Sequence, residues 1–321
     1  MFNRLRILRL RVSPGCFSIS WAVNFLALLS TLSLVDSSFA DITIANYSDA
    51  TNDRFTVDAN GQSFPNFIAA NFNLSGIGQT SGGLWATAIS RNVVITAFHA
   101  APGIGSTINF FVDNNPNLAP VTPTMVSGVR VGSTDLYLGV LSAPLPDAIA
   151  HFSFVQESLV GPGPVGNVST IVSAGSLQGL NTYMFGRSPA NHPVFQDQAV
   201  GRNLITGYSE NVLFNGSDND SILMIDDTFP TNSANVVQHE AYFQGGDSGG
   251  PTFVEIGGNL VLLGTNGFQF NGVDFQNVPF RGSGVNYTGN QAAFINNFIA
   301  ISAVPEPSTL LLVAILSLIH I

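Results

Sequence analysis

The sequence has no lysine and a single cysteine, and only 9% of its 321 residues are charged, against roughly 25% in an average soluble domain. The cysteine, Cys16, lies within the first forty residues. A chain that begins after them therefore contains neither a disulfide nor a cysteine-based metal site. Beyond Ala40 there are six arginines and nineteen acidic residues, a net charge of −13. Nucleic acid is not an expected partner, because phosphate binding depends on clustered Lys and Arg.

Hydrophobic residues are plentiful, at 45% of the chain, together with 32 glycines and 25 phenylalanines. From Asp41 to about Ala300, short apolar runs alternate with Gly, Pro, Asn and Ser, which is typical of strands joined by turns. The clearest runs are Asn92–Thr96, Leu136–Leu141, Val168–Val172, Ser221–Ile225 and Asn259–Gly264. One later segment, Asn290–Ala300, places its apolar residues on one face of a helix. The pattern predicts an all-β fold with one helix near its end.

The first forty residues have the pattern of an export signal. Arginines precede an apolar run from Trp21 to about Leu34, and Ser38 and Ala40 provide the small residues that signal peptidase reads. We expect residues 1–40 to be a signal peptide that signal peptidase cleaves after Ala40. The alternative is a transmembrane anchor, because the uncharged stretch Val12–Val35 is long enough, although Ser, Pro, Gly and Asn interrupt it.

The most specific motif in the chain is Gly245-Gly-Asp-Ser-Gly-Gly-Pro251. A serine hydroxyl becomes a good nucleophile only when a base takes its proton, and the oxyanion that then develops needs hydrogen-bond donors. The glycines around Ser248 allow backbone N–H groups to turn inward and substrate to approach. The motif also fits the Gly-x-Ser-x-Gly elbow of α/β-hydrolases, in which the histidine follows the serine. Only His320, in the terminal tail, follows Ser248, so this alternative fails on residue order.

The general base is therefore expected upstream of Ser248. His99 ends the strand-like segment Asn92–Ala100, whereas His239 lies nine residues before the serine and could line the site or brace the loop. No pair of histidines has metal-ligand spacing, so neither a metalloprotease nor any metal or cofactor site is indicated.

A carboxylate between His99 and Ser248 is needed to orient the base. Asp135 precedes an alternating apolar segment, and Asp113 and Asp147 are competitors in Asn- or Pro-rich turns.

These segments resemble the chymotrypsin-like serine protease family over most of residues 81–300. Thr96-Ala-Phe-His-Ala100 is similar to the family's Thr-Ala-Ala-His-Cys, with Phe98 and Ala100 as departures. Asp135-Leu-Tyr-Leu-Gly139 resembles Asp-Ile-Ala-Leu-Leu, with Tyr137 and Gly139 as departures. Ser283-Gly-Val-Asn-Tyr-Thr288 resembles Pro-Gly-Val-Tyr-Thr, with Asn286 as an extra residue.

The resemblance implies two packed antiparallel six-stranded β-barrels and a C-terminal helix within residues 41–303, the first barrel over about 41–150 and the second over about 151–300. It implies a serine endopeptidase that forms an acyl-enzyme on a peptide or protein substrate, with His99, Asp135 and Ser248 as the triad. The backbone N–H groups of Gly246 and Ser248 would form the oxyanion hole. The rival interpretation is a catalytically silent surface or matrix-associated binding protein on the same scaffold.

The resemblance also assigns a substrate pocket. Tyr242 takes the position of the pocket floor and Gly284 that of a wall, while Thr265 and Gly267 lie on the edge that pairs with substrate backbone. Since no aspartate occupies the floor position, we expect a preference for apolar or small residues over basic ones.

The family's Ile-Val-Gly-Gly start is absent after Ala40. Either the site forms without that activation step, or another group holds Asp247.

Near the end, Val304-Pro-Glu-Pro-Ser-Thr309 and the apolar stretch Leu310–Ile321 resemble the Pro-Glu-Pro (PEP-CTERM) sorting signal of certain Gram-negative bacteria. The resemblance implies a processing enzyme in the membrane as a partner, a transient membrane tether, and a periplasmic, cell-surface or extracellular location. The terminal arginine cluster is missing, so a plain hydrophobic tail is the alternative.

Asp218-Asn-Asp220 is expected to be a solvated turn, with a calcium site as the alternative.

Overall fold

The computed structural model of the protein describes residues 41–161, 171–190, 192–229, 236–273 and 279–303. The predicted signal peptide and sorting tail lie outside the described residues, as does most of the predicted strand Val168–Val172. The first half of the chain contains, in order, β1 (Thr43–Ile44), α1 (Asp49–Asn52), β2 (Ile77–Thr80), β3 (Trp85–Ala88), β4 (Val93–Ala97), β5 (Ile108–Asn109), β6 (Met125–Arg130) and β7 (Leu136–Leu141).

The second half contains eight strands and the longer helix. In order these are β8 (Asn181–Gly186), β9 (Ala199–Leu204), β10 (Gly207–Phe214), β11 (Ser217–Ile225), β12 (Ala241–Tyr242), β13 (Pro251–Ile256), β14 (Asn259–Val273), β15 (Pro279–Tyr287) and α2 (Ala292–Ser302). Short 3₁₀ turns occur at Phe98–Ala100, Gly175–Leu177, Val194–Gln196 and Gly289–Gln291.

Two curled antiparallel sheets form the body of the fold. The first has six strands in the order β5-β2-β3-β4-β7-β6, and the second has seven in the order β10-β11-β15-β14-β13-β8-β9. This arrangement, with one helix at its end, confirms the predicted all-β, chymotrypsin-like two-barrel architecture. The second sheet has seven strands where six were predicted, and one edge of it is a hairpin of β10 and β11 over residues 207–225.

The turn of that hairpin is encoded locally by Asn215 and Gly216. Their φ angles are 47° and 71°, and a two-residue turn with two left-handed residues is the form that matches strand twist, for which Asn-Gly is favoured. The tip of the hairpin reaches the first sheet, since the Arg130 guanidinium donates to Ser217 Oγ at 2.7 Å and Asp218 N donates to the Ser133 carbonyl at 3.1 Å. The hairpin therefore ties the second sheet to the loop before β7.

One cluster of buried apolar residues is shared by the two sheets. It combines Trp85 and Ile95 of the first sheet with Phe185 and Phe253 of the second, and all four are fully buried. Alternation along each strand directs these side chains to the same interior. Burial of such large side chains drives the sheets together and fixes the loops at their ends.

The C-terminal helix α2 packs on this shared core through Ala292 and Ile295. It begins two residues later than predicted, and Phe294, which was expected on the apolar face, is 41% exposed. Among the described residues, no helix has the length and apolar character needed to cross a bilayer.

Candidate active site

His99 and Asp135 meet because they lie at the same end of two neighbouring antiparallel strands. β4 pairs with β7 so that Ala97 faces Leu136, which brings the residues after β4 against those before β7. His99 Nδ1 lies 2.6 Å from Asp135 Oδ2, and His99 N donates to Asp135 Oδ1 at 2.9 Å. A carboxylate only accepts hydrogen bonds, so Nδ1 carries a proton, and in the neutral imidazole Nε2 is then the acceptor.

The Asp135 side chain is fully buried, and two asparagines of the second sheet bind this residue. Asn286 Nδ2 in β15 donates to Asp135 Oδ2 at 3.1 Å, and Asn219 Oδ1 in β11 accepts from Asp135 N at 2.6 Å. Sequence reasoning missed both. It treated Asn286 as an extra residue and placed Asn219 in a solvated turn, whereas residues 218–220 belong to strand β11 and Asn219 is buried.

The loop that carries Ser248 is shaped by two glycines with left-handed backbone. Gly246 has φ 108° and Gly249 has φ 82°. A Cβ atom on Gly249 would lie 2.4 Å from Thr96 Oγ1, so the loop packs directly against the end of β4. Trp85 Nε1 donates to the Gly246 carbonyl at 3.3 Å and holds the loop from the core side.

The backbone N–H groups of this loop differ in whether they have a hydrogen-bond partner. Asp247 N donates to the Gln244 carbonyl and Gly249 N to the Asn266 carbonyl. The N–H groups of Gly246 and Ser248, in contrast, have no hydrogen-bond partner within the described part of the chain. Unpaired backbone N–H groups beside a serine are the kind of donor that an oxyanion requires.

Ser248 and His99 are brought to one region through Phe214. The Phe214 ring packs edge-on to the His99 ring with centroids 5.4 Å apart, and it lines the same cavity as Ser248. No hydrogen bond joins Ser248 to His99 within the described residues.

The carboxyl of Asp247 is the second buried acid of the site. Its Oδ1 accepts from Arg187 N and its Oδ2 from Gln244 N, both at 2.7 Å. Complete burial raises the pKa of Asp247 to about 8, against the lowering effect of these two backbone donors. Asp247 thereby joins the serine loop to the segment that follows β8.

That segment is itself held by two ion pairs. The Arg187 guanidinium lies 2.8 Å from Asp197 Oδ2, and His192 Nε2 lies 2.8 Å from Asp53 Oδ1. The hydrogen bond to the buried Asp53 carboxylate raises the pKa of His192. The N-terminal part of the chain thus supports the loop that positions Asp247.

A cavity of about 240 Å³ opens beside Ser248. Its lining contains three aromatic rings, three amide side chains and no charged group: Phe214, Phe243, Gln244, Gly245, Ser248, Asn266, Gly267, Phe268 and Gln269. Of the predicted pocket residues, Gly267 lines this cavity, whereas the other three do not.

Those three lie next to the cavity, behind other side chains. Gly284 is covered by the Phe268 ring, whose Cζ would lie 2.3 Å from a Cβ on the glycine. Thr265 is fully buried in β14. Tyr242 lies beneath the Arg281 guanidinium, 4.5 Å from its ring centroid.

The competing residues have other contacts. Asp147 is an exposed partner of Arg91 at 3.5 Å, and Asp113 accepts from Asn115 N in an exposed turn. His239 is buried, which lowers its pKa, and its carbonyl accepts from Arg202 N, so it braces β9. His151 is exposed. The described residues contain no group of three or more His, Cys, Asp or Glu placed to hold a metal ion.

Comparison with known proteins gives little beyond this geometry. No protein-family model and no curated protein matches the chain. Among solved structures, the crystal structure of the NS6 protease from murine norovirus 1 is similar at a TM-score of 0.36 and 13% identity, over 67% of this chain and 92% of that one. The assignment of the fold rests on the strand order and pairing described above.

The His192–Asp53 pair should make stability depend on pH. Because the pKa of His192 is raised in the folded protein, the pair stabilises fully below the unfolded value of 6.5 and loses its effect as pH rises through the folded value. We expect urea unfolding to show a smaller loss of unfolding free energy between about pH 5.5 and 9 in His192→Gln than in the wild type. Exposed His151→Gln is the control, and an identical pH dependence in wild type and His192→Gln would contradict the assignment.

Proposed function

We propose that the protein is a serine endopeptidase that hydrolyses peptide bonds through an acyl-enzyme. Ser248 is the nucleophile, His99 the general base and Asp135 the residue that orients the base. The observation that carries the proposal is the 2.6 Å contact between His99 Nδ1 and the fully buried Asp135 carboxylate, close to the glycine-rich serine loop.

The chemistry follows from the direction of the imidazole. With its Nδ1 proton held by Asp135, His99 offers Nε2 to the Ser248 hydroxyl and takes its proton as the hydroxyl attacks the peptide carbonyl. The imidazolium that results is stabilised by Asp135 and then donates its proton to the leaving amine. Bonds between base and nucleophile are often long in substrate-free sites and shorten when substrate binds, which accommodates the absent Ser248–His99 bond.

The oxyanion of the tetrahedral intermediate needs donors that are already in place. The N–H groups of Gly246 and Ser248, which have no other partner in the described structure, are suited to this role. The left-handed φ of Gly246 aligns this loop, and a residue with a Cβ atom adopts that conformation only with strain.

The substrate is a peptide or protein with an apolar side chain beside the cleaved bond. The cavity next to Ser248 is lined by Phe214, Phe243 and Phe268 and by no charged side chain. A buried lysine or arginine side chain there would lack a counter-charge, which is unfavourable.

Export and sorting belong to the proposal on sequence pattern alone. Signal peptidase would release the chain after Ala40, and a membrane-bound processing enzyme would remove the Pro-Glu-Pro tail after a transient tether. The mature protein would then act in the periplasm, at the cell surface or outside a Gram-negative cell.

The first test is labelling by a fluorophosphonate, which reacts with activated serines. Wild-type protein should be labelled, Ser248→Ala should not, and Asp135→Asn should react more slowly by roughly 10⁴-fold because the imidazole loses its orientation. Exposed Ser142→Ala is the matched control and should react like the wild type. A folded wild-type protein that is not labelled would favour the catalytically silent binding scaffold instead.

The second test concerns specificity. Peptides with Phe, Leu or Ala before the cleaved bond should have a kcat/KM at least about tenfold above those with Arg or Lys. Gln244→Glu, which places a carboxylate at the cavity beside Thr43 Oγ1, should raise turnover of the basic peptides, whereas Gln156→Glu, at an exposed position outside the cavity lining, should not. Faster cleavage of the Arg or Lys peptides by the wild type would refute the preference and leave the reaction type intact.

A further inference from the structure

We propose that Asn286 is a positioning residue of this site, whose side-chain amide holds the Asp135 carboxylate in the orientation that directs His99. The inference rests on the proposed function, and it adds a fourth side chain to the three that the sequence motifs identify.

The contacts place the amide directly on the carboxylate. Asn286 Nδ2 donates to Asp135 Oδ2 at 3.1 Å, the same oxygen that faces His99 Nδ1 at 2.6 Å. Nδ2 also lies 3.5 Å from the Asp135 carbonyl and 3.4 Å from Thr265 Oγ1. His99 lies in the turn that follows strand β4 of the first sheet, and Asn286 lies in strand β15 of the second, so the carboxylate is held from both sides.

The charge of Asp135 fixes which end of the amide faces it. Asn286 Oδ1 is buried and has no hydrogen-bond partner within the described structure, which is a cost to folding. Rotation of the amide by half a turn would place Oδ1 against Asp135 Oδ2, two groups that only accept. An aliphatic side chain of the same size would fill the space without an unpaired oxygen. The donor atom is therefore the reason for an asparagine at this position.

The other buried asparagines at this junction have different tasks. Asn219 accepts from Asp135 N and so fixes backbone, and Asn266 donates to the Phe185 and Asp247 carbonyls. Among the described ion pairs, Asp135 contacts no arginine and no histidine other than His99. A neutral amide thus helps to solvate the buried carboxylate and leaves its charge for the imidazolium that forms during the reaction.

Asn286 also explains the absence of a side chain at Gly267. A Cβ atom there would lie 2.7 Å from Asn286 Oδ1. Asn286 in its present position therefore requires glycine at position 267. The amide couples the wall of the cavity to the carboxylate.

The experiment compares Asn286→Ala and the closely size-matched Asn286→Leu with the wild type. Asn203→Ala is the control, because Asn203 is a buried asparagine of the same second sheet that donates to the Ala241 carbonyl instead. Fluorophosphonate labelling is resolved into the concentration for half-saturation and the maximal rate of bond formation. The low-field proton NMR signal of the His99 Nδ1–H group reports its hydrogen bond independently of activity.

In both Asn286 variants the maximal rate at which the fluorophosphonate bonds to Ser248 should fall by roughly 10- to 100-fold, the effect of losing one hydrogen bond to a charged group. The fluorophosphonate concentration for half-saturation should stay at the wild-type value, and the low-field NMR signal of His99 Nδ1–H should move or broaden. Asn203→Ala should match the wild type in rate, half-saturation concentration and NMR signal. If Asn286→Ala does not fold, Asn286→Leu gives the same readouts. A folded variant with a wild-type rate and signal would overturn the proposal. If the wild type is not labelled, the proposed function fails, and the NMR signal alone decides the role of Asn286.

Discussion

The candidate site depends on the hydrogen bonds that compensate the buried carboxylate of Asp135. A charge removed from water is tolerated only when hydrogen bonds and a counter-charge replace its hydration. Here the donors come from His99, just after β4 of the first sheet, and from Asn286 in the second, and Asn219 fixes the backbone of the aspartate. The two sheets therefore have to pack in one relative position for this charge to be compensated.

A second buried carboxylate, that of Asp247, lies next to Ser248 and is also compensated by hydrogen bonds. Asp247 accepts from the backbone N–H groups of Arg187 and Gln244, and its raised pKa reflects complete burial. One carboxylate thus contacts the His99 imidazole and the other binds the backbone of the serine loop. Leu136, which follows Asp135, and Trp85, which donates to the Gly246 carbonyl, belong to the core that the sheets share. The residues of the proposed triad are therefore positioned by packed strands and not by loops alone.

The sequence predicted those features that are encoded locally. The glycines around Ser248, the strand before His99 and the alternating run after Asp135 are short-range patterns, and the all-β fold follows from many such runs. The His99–Asp135 contact spans 36 residues along the chain. Asn286 and Asn219 lie 151 and 84 residues from Asp135, and no local pattern marks a contact at that distance. Strand alternation also does not reveal which ring covers Gly284.

The most direct test of the account is a crystal structure of the protein after reaction with a peptide boronate that carries an apolar side chain. The account predicts a covalent bond from Ser248 Oγ to boron, with one boronate oxygen about 3 Å from the N–H groups of Gly246 and Ser248. It also predicts that Asp135 keeps its bonds to His99 and Asn286. An unmodified Ser248, or an adduct whose oxygens point away from both N–H groups, would contradict the central claim.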